Sequence, residues 1–172
     1  MMQQQGYNLS RLKILVVEDN KNMRVMIRAM LEAFGVKNIR ECENTKDAWE
    51  RILEFGPDIM ILDWMLTPED GIAFAKRLRT AEDSPNRFLP IVMLTGYTET
   101  RHVMVARDAG INEYLVKPVS GQALYGRIIM AIEHPRPFVR AKGYFGPDRR
   151  RHRKKDYDGP ERRKPDDKDK DD

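Results

Sequence analysis

Ile59-Met60-Ile61-Leu62-Asp63 is the stretch that decides the fold. Four apolar residues in a row, two of them β-branched, read as a strand buried on both faces, and such strands belong to parallel sheets covered by helices. An acid at the carboxyl end of that strand lies where open α/β sheets place their ligand crevice. Three other apolar runs end in a similar way. Ile14-Leu15-Val16-Val17 runs into Glu18-Asp19, Ile91-Val92-Met93-Leu94 into Thr95, and Tyr114-Leu115-Val116 into Lys117. Three acids, a hydroxyl and an ammonium at successive strand ends suit Mg²⁺ and a phosphoryl group.

Outward from these runs the chain alternates. Strands are predicted at 13–17, 39–41, 58–62, 90–94 and 113–116, and amphipathic helices at about 21–34, 45–55, 71–80, 99–109 and 120–133. Asn44 and Ser120 stand where N-caps belong. Gly35 and Gly110 fall just past helix ends, where a left-handed residue closes the last turn. Five βα units of this kind predict an α/β protein with a parallel sheet and helices on both faces. Trp49, at core spacing with Ala48, Ile52 and Leu53, reads as a packing residue.

Charge divides the chain. Residues 136–172 hold 14 Lys and Arg against 9 Asp and Glu, a net of +5, which leaves the preceding body at −1. The overall +4 therefore describes the tail rather than the body. No apolar stretch reaches the length of a membrane span, and the polar N-terminus lacks the apolar core of a secretion signal. Cys42 is the only cysteine, which excludes a disulfide framework. A cytoplasmic protein is expected.

The acids carry the chemistry. Mg²⁺ takes few protein carboxylates and shares phosphate oxygens, and Asp19 and Asp63 can each offer it an oxygen. Asp63 can act as the nucleophile and form an acyl phosphate. Lys117 by charge and Thr95 by hydrogen bonding would hold the phosphoryl oxygens. Each residue alone has a plainer reading: Asp63 as a helix cap, Glu18-Asp19-Asn20 as a capping segment, Lys117-Pro118 as a loop. The order and spacing of all four elements together favour the site.

Residues 11–133 resemble a receiver domain of the two-component response-regulator family, CheY-like in layout. The segments that carry this are Ile14-Leu15-Val16-Val17-Glu18-Asp19-Asn20, Leu62-Asp63-Trp64-Met65, Asp70-Gly71, Leu94-Thr95-Gly96 and Tyr114-Leu115-Val116-Lys117-Pro118. The resemblance implies a doubly wound, flavodoxin-like five-stranded sheet in the order 2-1-3-4-5. It implies Asp63 as phosphoacceptor, and Glu18, Asp19, Asp63 and the backbone carbonyl of Met65 as the Mg²⁺ site. Thr95, Tyr114 and Lys117 match the switch and phosphate-contacting positions, and Lys117-Pro118 matches a bond that is commonly cis. The implied protein is a single-domain signalling protein rather than a dedicated enzyme. It accepts a phosphoryl group from a histidine kinase or phosphotransfer protein. One departure stands out: where the family often has Met-Pro after the phosphoacceptor, this chain has Leu66-Thr67-Pro68, so that loop is expected to turn differently.

After Glu133 the composition changes. His134-Pro135-Arg136-Pro137 stops the last helix, and 134–172 reads as a Pro/Arg-rich tail, disordered when unliganded. Tyr144-Phe145-Gly146-Pro147-Asp148-Arg149-Arg150-Arg151 is echoed by Tyr157-Asp158-Gly159-Pro160-Glu161-Arg162-Arg163-Lys164. Guanidinium planes stack on bases and bind phosphate in a bidentate way, and a carboxylate can pair with guanine. Asp148, Arg149, Arg150, Arg151, Arg153, Tyr157, Glu161, Arg162 and Arg163, with Tyr144, therefore suit a phosphorylated guanine ligand. The tail resembles that of the alphaproteobacterial CheY-like Cle proteins. That resemblance implies cyclic di-GMP as the ligand and the flagellar motor switch as a partner in chemotaxis or motility. Two alternatives stand beside it: a phosphorelay shuttle with an inert tail, and a regulator that binds nucleic acid through the tail.

Overall fold

The computed structural model describes residues 7–150. Five strands and five helices alternate from the start: β1 (Lys13–Val17), α1 (Lys21–Ala33), β2 (Asn38–Cys42), α2 (Thr45–Phe55), β3 (Ile59–Asp63), α3 (Gly71–Thr80), β4 (Ile91–Thr95), α4 (Thr100–Asp108), β5 (Glu113–Val116) and α5 (Gly121–Glu133). The strands form one parallel sheet in the order β2-β1-β3-β4-β5. This is the flavodoxin-like arrangement, and all ten elements stand where the sequence predicts them to within about two residues.

Side chains of a strand alternate between faces, and the sheet sorts its apolar residues accordingly. Leu15, Val17, Met60, Leu62, Ile91 and Met93 pack with Ile52 of α2, Phe74 and Leu78 of α3, and Ala106 of α4. Ile14, Val16, Ile59, Ile61, Val92 and Leu94 pack with Ile27 and Leu31 of α1 and with Leu124 and Ile128 of α5. Every residue of β3 and β4 is buried. Both strands are central in the sheet, so both of their faces lie under helices.

Capping fixes where the helices begin. Asn44 and Ser120 accept the backbone N–H groups of Asp47 and Ala123, as the sequence suggests. Asn20 and Asp70 do the same for Met23 and Ala73. Asn20 thus carries the capping role open to its segment, while Glu18 and Asp19 remain for other work.

Cys42 closes β2, buried beside Val16, where its Sγ donates to the Val16 carbonyl. Burial pushes its thiol up to about 12. The thiolate is the reactive form, so native protein at mildly alkaline pH is expected to resist iodoacetamide, with full alkylation once urea unfolds it. Rapid alkylation of folded protein would show that β2 opens locally.

The chain does not become irregular at Glu133. Residues Phe138–Ala141 (β6) and Tyr144–Pro147 (β7) form an antiparallel hairpin, which corrects the expectation of a disordered tail from 134 for its first seventeen described residues, through Arg150. Ala141 pairs with Tyr144, so Lys142-Gly143 is a two-residue turn, and Gly143 takes φ +71° there. The hairpin has its own apolar contacts. Phe138 and Phe145 lie 5.2 and 5.4 Å from Phe88 between ring centroids. Tyr144 is buried, and its hydroxyl donates to the Pro147 carbonyl at 2.6 Å. Arg136 donates to the carbonyls of Ile111, Asn112 and Asp148. Arg149 reaches Asp108 at the end of α4, 3.1 Å away. These contacts seat the hairpin near the edge formed by the start of β4 and the α4–β5 turn, far along the strands from Asp63.

Candidate phosphoryl and metal site

Four strands deliver the site at their carboxyl ends. Glu18 and Asp19 follow β1, Asp63 ends β3, Thr95 ends β4, and Lys117 follows β5. Carboxylate oxygens of Glu18, Asp19 and Asp63 lie within 4.8 Å of one another. Glu18 and Asp63 are buried, at 1% and 2% exposure, and Asp19 opens to solvent. The crevice is therefore polar at its floor and accessible from one side.

Lys117 spans the two buried acids. Its Nζ is 2.9 Å from Glu18 Oε2 and 2.9 Å from Asp63 Oδ1. The bond to Glu18 is well aligned. The approach to Asp63 is an ion pair without hydrogen-bond geometry, which leaves Asp63 Oδ1 buried and short of a partner. A buried oxygen in that condition is costly unless another group meets it. Burial works against the ammonium of Lys117, yet the close ion pair with Asp63 and the hydrogen-bonded pair with Glu18 outweigh it and raise its pKa.

Glu18 feels the opposite balance. Burial raises its pKa, the neighbouring Asp63 adds to that, and the bonds from Lys117 and the Asn20 backbone N–H only partly offset them. Its charged form is thus disfavoured in the fold. The cost appears as pH rises through the ordinary carboxylate range toward its raised pKa. A divalent cation among the three acids would return that cost, so the donor set fits Mg²⁺: hard oxygen ligands, few in number, open on one side.

The loops around the acids are tied by specific bonds. Arg24 in α1 donates to the carbonyls of Glu18 and Asp19 at 2.7 and 3.0 Å and pairs with Glu43. Asn20 N–H donates back to Glu18 Oε1. Gly71 N–H donates to the Trp64 carbonyl at 2.9 Å, and its backbone presses against β3. A Cβ at position 71 would lie 2.2 Å from the Asp63 carbonyl oxygen. Nothing in the sequence marks Arg24, because one arginine in an amphipathic helix carries no signal of its own. Gly71 was visible only as part of the Asp70-Gly71 motif.

Thr95 is fully buried, and its Oγ1 accepts the Tyr97 N–H at 2.9 Å. The Thr95 carbonyl accepts the Lys117 N–H at 2.7 Å. Tyr114 donates its hydroxyl to the Tyr97 carbonyl at 2.6 Å. Tyr97 itself stacks on His102, meets Trp64 edge-on and donates to Met65 Sδ. Met65 lies two residues past Asp63 with its side chain exposed. The Lys117-Pro118 bond is cis, and so is Thr67-Pro68 in the loop where the chain departs from the common pattern.

The tail residues divide. Arg151, Arg153, Tyr157, Glu161, Arg162 and Arg163 lie outside the described residues. Asp148 is held by Arg150, whose backbone N–H and guanidinium both donate to it and lower its pKa. Arg149 lies 3.9 Å over the ring of Tyr144. Tyr144, named with the residues suited to a guanine ligand, is instead packed inside the hairpin, a consequence of strand formation at 144–147.

With the site laid out, comparison with known proteins places the chain. It belongs to the response regulator receiver domain family, which matches residues 14–129. It is 35% identical over 115 residues to the chemotaxis protein CheY1 of Helicobacter pylori, covering 66% of this chain and 90% of that one. It is also 35% identical over 124 residues to the phosphate regulon transcriptional regulatory protein PhoB of Pseudomonas aeruginosa, of which the match spans only 53%. Among solved structures, the receiver domain of the Francisella response regulator 1452 superposes with a TM-score of 0.65 at 27% identity, covering 72% of this chain and 98% of that one. The chemotaxis response regulator CheY4 of Vibrio cholerae gives 0.64 at 25%, covering 70% and 98%. The family match ends before the hairpin. Receiver domains are signalling proteins of two-component systems that bind Mg²⁺ at an acidic pocket and interact with histidine kinases or phosphotransfer proteins. No helix among the described residues is long and apolar enough to cross a membrane.

Proposed function

We propose that this receiver takes a phosphoryl group on Asp63 and signals through protein–protein contact. The observation that carries the proposal is Asp63 Oδ1: buried, 2.9 Å from Lys117 Nζ, without an aligned hydrogen bond, and clustered with Glu18 and Asp19. The Asp63 carboxylate attacks phosphorus. The P–N bond of a phosphohistidine breaks, its electron pair stays on the imidazole nitrogen, and a mixed anhydride forms on Asp63. Glu18, Asp19, Asp63 and the Met65 carbonyl would hold Mg²⁺, which supplies charge neutralisation at the transferring oxygens. Lys117 adds a fixed positive charge on the same oxygens. Thr95 would give up the Tyr97 N–H to bond the phosphoryl group, and Tyr97 and Tyr114 would follow it.

Trp64, next in sequence to Asp63, offers a direct readout. In a Trp49→Phe background, Mg²⁺ is expected to change Trp64 fluorescence with saturation. Lys117→Ala should bind Mg²⁺ at least as strongly, because a neighbouring cation is removed. Its phosphorylated form should lack the amide shifts of Thr95, Tyr97 and Tyr114. A full set of wild-type shifts in that variant would remove Lys117 from the switch.

Cyclic di-GMP binding by the arginine-rich segment, with a role in chemotaxis or motility at the flagellar motor switch, is the finer part of the proposal. It rests on the doubled motif in 144–164. Calorimetry on the full chain should show binding that Arg149→Ala with Arg150→Ala weakens at least about tenfold. Equal binding of cyclic di-AMP, or of a short RNA, would return the segment to general charge attraction.

A further inference from the structure

The hairpin creates a cavity that the receiver fold alone lacks. It lies between the end of α3 and the β6–β7 hairpin, holds about 370 Å³, and its lining includes Arg79, Thr80, Arg87, Arg140 and Phe145 together with one exposed acid, Glu82. A volume of that order fits a small organic ligand.

Its charge is unusual. Arg79 forms part of the wall at 1% exposure. Its guanidinium donates to the carbonyls of Gly110, Arg87 and Leu89 and to Asn112 Oδ1. Those bonds satisfy its N–H groups, but no carboxylate among the described residues pairs with it, so its charge is not neutralised. Burying a cation without a counter-charge is costly. Arg87 and Arg140 add two more guanidiniums, 5.9 and 5.6 Å from the Phe145 ring. Neither has a carboxylate within ion-pair distance among the described residues. Other arginines of the body, such as Arg24, Arg28 and Arg77, do have one.

We propose that this cavity binds a small phosphate ester, with Arg87 and Arg140 contacting the phosphate and the buried charge of Arg79 adding to the attraction. Guanidinium forks match phosphate oxygens in pairs. Phe145 holds the two forks by cation–π contact. The site lies at the opposite end of the sheet from Asp63.

The test uses the full chain with pyrophosphate, adenosine 5′-monophosphate and adenosine as probes at constant ionic strength set by chloride. The two phosphates should give saturable ¹⁵N shifts at Arg87, Arg140 and Gly143 and a saturable rise in melting temperature. Adenosine should give neither. Arg140→Gln, on an exposed strand position, and Arg87→Lys with Arg140→Gln should each weaken the phosphates, the double variant at least about tenfold. Arg51→Gln with Arg101→Gln, at exposed helix positions outside the cavity, should bind as the wild type does. Shifts that never saturate, that chloride reproduces, or that survive the Arg87 and Arg140 changes would overturn the proposal. Loss of binding in the Arg51 and Arg101 variant would mean general charge attraction and overturn it equally.

Discussion

Asp63→Asn protein incubated with acetyl phosphate and Mg²⁺ is expected to acquire no phosphoryl group, where the wild type approaches one per chain. The amide is nearly isosteric, but its oxygen cannot form the mixed anhydride. Loss of activity through unfolding is not expected. The substitution removes an ion pair with Lys117, yet it also removes the like charge beside Glu18, and Lys117 keeps its aligned bond to Glu18. The two changes oppose each other, so thermal stability should shift little. The Asp19→Asn variant offers a useful contrast. It should weaken the response to Mg²⁺ while leaving the nucleophile in place, so labelling slows rather than disappears. Intact-mass measurement of all three proteins over time separates these outcomes, and a labelled Asp63→Asn protein would exclude Asp63 as the acceptor.

The second large effect is mechanical. Gly71 opens α3 directly against the end of β3, and a Cβ there would meet the Asp63 carbonyl oxygen at 2.2 Å, its carbon at 3.1 Å and Trp64 Cα at 3.2 Å. All three are backbone atoms of the central strand or the residue after it, and they cannot rotate away. Helix propensity alone favours Ala over Gly by ~1 kcal/mol. The clash opposes this, and overpacking of a tight contact costs ~1–3 kcal/mol or more. Gly71→Ala is therefore expected to destabilise the fold by ~2 kcal/mol and to slow phosphorylation, because relief of the clash moves Asp63. Gly126 in α5 gives the opposite sign. It is exposed, with nothing within 4 Å of the added Cβ, so Gly126→Ala should stabilise by ~0.5–1 kcal/mol. Urea unfolding of both variants checks the pair. A stabilised Gly71→Ala protein would mean that the α3 start can retreat from β3.

The sheet was legible because its central strands are uninterrupted Ile, Val, Leu and Met runs. The site was legible because its polar residues come directly after those runs. What the sequence hid has specific causes. Asn20 and Asp70 sit among functional acids, and their capping roles look the same in sequence as metal or loop roles. Arg24 and Arg79 lie in amphipathic helices, where an arginine reads as surface. Arg79 is buried among the carbonyls of Arg87, Leu89 and Gly110 and under the hairpin, whose Phe138 ring lies 5.0 Å from its guanidinium. The hairpin itself was masked by composition. Phe138 to Pro147 lies between prolines and arginines, and the turn is Lys142-Gly143 rather than the stronger Asn-Gly signal. A Gly two residues into a gap between aromatic-bearing segments was the available clue.

Borohydride reduction of the phosphorylated protein, followed by peptide mass spectrometry, tests the central claim most directly. An acyl phosphate on a carboxylate is reduced to an alcohol, so homoserine should appear in place of aspartate at position 63 in Mg²⁺-treated wild type and nowhere else. Reduction at Asp19 or another acid, or phosphate found on a hydroxyl or imidazole with Asp63 unchanged, would contradict the assignment of Asp63 as the phosphoacceptor.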